Sequence, residues 1–265
     1  MENKKFPEPV EALLVVLFTL GLILVIGLIM FGWMIVSGSA ETVYTKLVFV
    51  FDGVPFLLIP LIYVKLRKYD ARSIFRFNLI SWKPLSWSIL IGISLSILSD
   101  ELDRLIQLFL PIPEWFIDQL KFMRAETTSD WILLVLGVVL LAAFSEEMLF
   151  RGFLQVSLER KGDATRAVLL TSLTWTLVHV NPYWAIQIFI IGIVIGFLAW
   201  RTNSIVSTII VHGINNLLSL IFYNFGDHLN WYLMGNHVSL YMLIPAFFIL
   251  VWSIRQLTAY YHSQG

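Results

Sequence analysis

Residues 12–36 run for twenty-five positions without one charged side chain. A helix needs about 20 apolar residues, at ~1.5 Å each, to cross the ~30 Å hydrocarbon core of a bilayer. Comparable runs follow at 44–64, 84–109, 131–158, 165–180, 183–200, 203–223 and 238–257. In lipid, backbone polar groups must be satisfied internally, so each run is expected as a helix. Eight spans of about 20 residues use about 160 of them and leave only short loops. The expectation is an all-α, polytopic membrane helix bundle of about eight transmembrane helices, with one membrane domain over residues 1–265. Composition agrees: 58% of residues are hydrophobic and 14% charged, whereas soluble domains run near ~45–50% and ~25%. Ser37, Gly38, Ser39 and Ala40 faintly resemble a signal cleavage site. The run before them exceeds the ~7–15 apolar residues of a cleaved signal, so it is read as a retained helix.

Positive charge falls in alternate loops. Lys4 and Lys5 precede the first run, and Lys65, Arg67, Lys68, Arg72, Arg76 and Lys83 crowd the connection between the second and third. Arg160, Lys161 and Arg166 lie between the fourth and fifth, Arg201 between the sixth and seventh, and Arg255 near the end of the eighth. With eight spans this pattern puts both termini in the cytoplasm, in the cell membrane or another cytoplasm-facing membrane. Leu102, Leu105, Ile106 and Phe109 recur at helical spacing beside Asp100, Glu101, Asp103 and Arg104, as in an amphipathic extension at the outer surface.

Eighteen Lys and Arg balance eighteen Asp and Glu, so there is no basic field to hold nucleic acid. The absence of cysteine rules out disulfides, thiolate metal sites and a cysteine nucleophile. Any hydrolytic chemistry must come from carboxylates, imidazoles or hydroxyls.

Ionised groups are costly in a bilayer, so those within the runs mark function first. The densest group is Ser145-Glu146-Glu147-Met148-Leu149-Phe150-Arg151. Glu147 and Arg151, four apart with the acid first, can pair on one helical face. Glu146 points about 100° away and lacks that partner. This suggests a structural ion pair in Glu147 and Arg151, with Glu146 left for proton chemistry. Two further sites are Trp175-Thr176-Leu177-Val178-His179 and His212-Gly213-Ile214-Asn215-Asn216. His212 and Asn216 share a face and could converge on one oxygen. Measured from Lys161, Arg166 and Arg201, the depths along the helices are about 22 Å for Glu146, about 20 Å for His179 and about 16 Å for His212. Three helices thus bring a carboxylate, two imidazoles and a carboxamide to comparable depth.

These residues resemble the motifs of the CPBP family, the CAAX proteases and bacteriocin-processing enzymes, also described as type II CAAX prenyl endopeptidases. The resemblance covers about 142–220, the motif-bearing core. It rests on Glu146-Glu147 with Arg151, on Trp175 four before His179, and on His212 four before Asn216. Phe150-Arg151-Gly152-Phe153-Leu154 and Arg201-Thr202-Asn203-Ser204-Ile205 also look like the family's surroundings. The family pattern more often has Phe where this chain has Trp175, a departure expected to bear on packing more than on chemistry.

The resemblance implies an intramembrane endopeptidase with a cavity opening toward the cytoplasm and a membrane-embedded or lipidated (CAAX-type) peptide as substrate. The residues suit water attack on a carbonyl, with Glu146 as base, His179 holding the water, and His212 and Asn216 stabilising the oxyanion. Glu147 and Arg151 would keep the site assembled. Glu146, His179 and His212 also match a His2Glu zinc set, so zinc stays open beside the preferred metal-free scheme. The competing readings are a proton-coupled transporter and a non-catalytic membrane binding or immunity protein. Asn215 is expected to hydrogen-bond between helices, Asp52 to line a cavity or satisfy a broken helix, and His228, His237 and His262 to be solvated.

Overall fold

The structure, a computed structural model, describes residues 6–37 and 41–264. Lys4, Lys5, Gly38, Ser39 and Ala40 lie outside the described residues. Helices α1 (Pro9–Ser37), α2 (Glu41–Leu66) and the single turn α3 (Ala71–Ile74) lead into α4 (Trp82–Gln107). A short α5 (Glu114–Gln119) precedes α6 (Thr128–Lys161), which is followed by α7 (Ala164–Val178), α8 (Ala185–Thr202), α9 (Val206–Phe225) and α10 (Leu240–His262). A small antiparallel hairpin, β1 (Leu233–Met234) and β2 (His237–Val238), turns through Gly235 at φ 65° between α9 and α10. The chain is an all-α polytopic bundle, as its apolar runs imply.

Seven of these helices are long and apolar enough to cross a membrane. The expected fifth span is the difference. Helix α7 has fifteen residues, about 22 Å, and falls short of a ~30 Å core. Its end is set locally: His179 caps it, Val180 takes φ 47°, and Asn181 Oδ1 accepts from the Tyr183 and Trp184 amides ahead of α8. A β-branched residue at positive φ is a strained choice, so the surrounding contacts must hold this reversal.

Helix α4 is central, packing against both α9 and α10, while α7 pairs with α8 and α1 with α2. Helix α6 carries two π-helical stretches, Val135–Leu141 and Met148–Leu154, on either side of Ala142–Glu147. Such wide turns recur at functional sites because they redirect the side chains that follow. Each contains a glycine at a close approach. A Cβ on Gly152 would sit 2.9 Å from Phe75 Cα, and one on Gly137 3.0 Å from Phe49 Cβ. Around Gly152, Phe75, Phe150 and Phe153 are fully buried, and Phe153 meets Tyr63 edge-on at 5.7 Å.

Interhelical register comes from polar contacts. Gln155 Nε2 donates to Gly196 O at 2.9 Å and Arg151 Nη2 to Gly192 O at 3.5 Å. Donors four apart on α6 therefore face carbonyls four apart on α8, where the absence of side chains permits close packing. Near the same end of α6, Arg76 pairs with Glu159, donates to Arg151 O at 3.4 Å, and its carbonyl accepts from Ile205 N at 3.2 Å. The Arg-rich connection after α2 is thus locked onto α6 and the start of α9. At the opposite end, Glu101 accepts from His237 Nδ1 at 2.8 Å and from Val238 N at 2.7 Å. His237 is exposed, as expected, and also joins the hairpin to α4. Leu105 and Phe109 remain exposed, as the amphipathic reading requires.

Candidate active site

The ion pair inferred from spacing is present and completely enclosed. Arg151 Nη1 donates to Glu147 Oε1 at 2.9 Å, and neither side chain has any solvent exposure. The same oxygen takes a bond from His212 Nδ1 at 2.9 Å. Because a carboxylate accepts, His212 carries its proton on Nδ1 and keeps Nε2 as the free ring nitrogen. One buried carboxylate therefore fixes both a guanidinium on its own helix and an imidazole on α9.

Glu146 turns elsewhere, as its 100° offset requires. It is half-buried, and its Oε2 accepts from Trp175 Nε1 at 2.7 Å. The replacement of the family's more usual phenylalanine by Trp175 was expected to bear on packing more than on chemistry. It also brings an indole N–H to this carboxylate, a donor that phenylalanine lacks. His179, exposed at the end of α7, places Nδ1 2.7 Å from Trp175 O. A carbonyl can only accept, so His179 also carries Nδ1–H and presents the Nε2 lone pair.

Trp175 ties the groups together. Its ring lies 4.3 Å from the Arg151 guanidinium carbon and meets His179 and His212 edge-on at 5.0 and 5.3 Å. Glu146, Glu147, Arg151, His179 and His212 thus form one connected cluster from α6, α7 and α9. Asn216 stands one turn beyond His212, and its Nδ2 donates to Val138 O at 2.9 Å in the first π stretch. His212 and Asn216 are not aimed at a common point by these bonds. Each is held by a separate acceptor on α6, and the amide keeps a second N–H.

The remaining polar residues fall as follows. Asn215 accepts from Ser96 Oγ at 3.3 Å, the interhelical bond anticipated for it. Asp52 has a buried Oδ1 without a hydrogen-bond partner. His228 and His262 are exposed. Lys46, which the apolar pattern obscured, is buried in an ion pair with Asp130 at 2.8 Å. Its sequence signal was a lone lysine at the edge of a run, opposite an acid that also caps α6. A polar cavity of about 540 Å³ lies among Asp70, Arg76, Glu159 and Asn203. Glu159 is thirteen residues from Glu146 on one helix, about 20 Å away, so this cavity is separate from the cluster.

Residues 128–218 match the family model of the type II CAAX prenyl endopeptidases, Rce1-like. Over that segment the chain is similar to the CPBP-type CAAX proteases. The matched segment runs from the start of α6 to the middle of α9 and contains every residue of the cluster, with Asn216 near its end. No curated protein and no solved structure matches the chain. The CAAX protease family is one of multi-pass membrane endopeptidases, in keeping with seven spans and a polar cluster inside them.

Among the described residues, no three His, Asp or Glu side chains are grouped as metal ligands. Glu146 is held by an indole, while His212 turns Nδ1 to a different carboxylate.

Proposed function

We propose that the protein is an intramembrane endopeptidase that hydrolyses a peptide bond of a membrane-associated or prenylated peptide, with Glu146 as general base. The observation that carries this reading is the contrast between adjacent acids. Glu147 is neutralised by Arg151, whereas Glu146 has no cation among its hydrogen-bond partners and is oriented by Trp175 beside His179. Glu146 takes a proton from water as the water oxygen adds to the carbonyl carbon. His179 Nε2 accepts the second water hydrogen and holds the nucleophile. The second Asn216 N–H donates to the oxyanion, with its amide anchored on Val138 O. His212, its Nδ1–H engaged by Glu147, stands beside Trp175 in the same cluster. Glu146 then returns its proton to the departing amine as the C–N bond breaks.

The cytoplasm-facing cavity, the cytoplasmic termini and the prenyl-peptide substrate belong to this proposal. Its test is cleavage of quenched-fluorescent peptides, with and without a farnesylated cysteine, by purified wild type and Glu146→Gln in detergent. Removal of a general base should lower kcat about 10²–10⁴-fold in a protein that still folds. Wild-type rates in Glu146→Gln would refute the assignment of the base. Equal cleavage with and without the farnesyl group would remove prenyl recognition from the proposal.

A further inference from the structure

Trp175 makes a contact with every group of the cluster except Glu147. Its indole N–H donates to Glu146, its ring covers Arg151, its carbonyl accepts from His179, and its edges abut His179 and His212. The ring is itself 3% exposed and is pinned between residues of α6 and α9. Glu146 lacks the hydrogen bonds from Arg151 and His212 that fix Glu147. The Trp175 bond is the side-chain hydrogen bond that restrains its carboxylate.

We infer that Trp175 is a positioning residue for the reaction, one whose indole N–H orients the Glu146 carboxylate toward the attacking water. This rests on the hydrolytic reading above and adds to it. A general base must lie within about 2.6–3.2 Å of the proton it removes, and small misplacements carry large rate penalties. With Oε2 committed to the indole, Oε1 is left to take the proton. The bond restrains direction and does not bind substrate, so its loss acts on kcat. The aromatic ring alone serves the contacts to Arg151 and His212, and the backbone carbonyl serves His179. These functions survive replacement by phenylalanine, whereas the bond to Glu146 does not.

The experiment compares wild type, Glu146→Gln, Trp175→Phe and a protein carrying 3-benzothienylalanine at position 175, which replaces the indole N–H with sulfur at nearly constant volume. Each is assayed for kcat and KM on the peptide that wild type cleaves best, and for thermal unfolding in detergent. The expected result is a kcat about 10- to 100-fold lower in both position-175 proteins, with KM within about twofold and melting close to wild type in the benzothienyl protein. That protein isolates the donor even if the smaller phenylalanine ring loosens the fold. Wild-type kcat in the benzothienyl protein, with Glu146→Gln inactive, overturns the positioning role and leaves the proteolytic reading standing. A rise in KM at unchanged kcat overturns it too, by making Trp175 a substrate contact. If wild type cleaves none of the peptides, the hydrolytic reading fails and the inference fails with it.

Discussion

Arg151 offers the most demanding test of how the cluster is held. Its side chain is wholly buried, pairs with Glu147 at 2.9 Å, and lies against the Trp175 ring at 4.3 Å. In Arg151→Met the volume is roughly kept, but the Glu147 carboxylate is left buried without its guanidinium, beside His212 and Thr208. Breaking one side of a buried pair costs about 3–5 kcal/mol, largely the desolvation of the stranded charge. At about 2–4 °C per kcal/mol for a chain of this size, melting should fall by about 6–20 °C. Glu147→Gln alone should cost less, because Arg151 keeps the Trp175 face and the Gly192 carbonyl while the amide oxygen still accepts from His212. The combined Arg151→Met, Glu147→Gln protein contains neither charge and should recover at least about 2 kcal/mol relative to the sum of the single effects. Unfolding followed by the fluorescence of the ten tryptophans reads this directly. Strict additivity, or a single Arg151→Met that melts like wild type, would refute the idea that the pair acts as one unit.

Three further outcomes follow from the same geometry. Gly152→Ala places a methyl 2.9 Å from Phe75 Cα and should destabilise by about 1–3 kcal/mol; an unchanged melting temperature would disprove the close approach. Glu101→Ala removes the acceptor for His237 Nδ1 and Val238 N, so amide exchange in residues 232–238 should accelerate while kcat stays at the wild-type value; exchange as slow as in wild type would show that the hairpin is held by other contacts. On the metal-free scheme proposed above, treatment with 1,10-phenanthroline should leave peptide cleavage intact; activity lost to the chelator and restored by added zinc would refute that scheme.

Much of the bundle was legible because lipid imposes one rule along the chain: apolar runs of spanning length become helices. Run length alone does not reveal where a helix stops. Residues 165–180 and 183–200 look like two comparable spans, yet α7 ends at Val178. The decision lies in the Val180 backbone and the Asn181 side chain, which hydropathy averages away. The same averaging hid Lys46 and gave no sign of the two π stretches in α6. Gly152 stood in a recognised motif, but its reason, the approach of the Phe75 backbone, is a contact across seventy-seven positions of chain.

Within the site, the division between i,i+4 neighbours and everything else marks what spacing could say. Glu147 with Arg151 was readable because both lie on one helix and helical geometry fixes their distance. The destination of Glu146 was readable only as a direction, away from that pair. Its partner, Trp175, is on another helix and was visible in the sequence as an aromatic residue four before a histidine. Likewise the i,i+4 relation of His212 and Asn216 correctly puts them on one face, but their acceptors, Glu147 and Val138, sit at different heights on α6 and separate their bonds. The chemistry depends on these cross-helix choices. Two carboxylates adjacent in sequence acquire opposite environments because a 100° step sends one to a guanidinium and the other to an indole, and the proposed mechanism assigns the proton transfer to the second on that asymmetry.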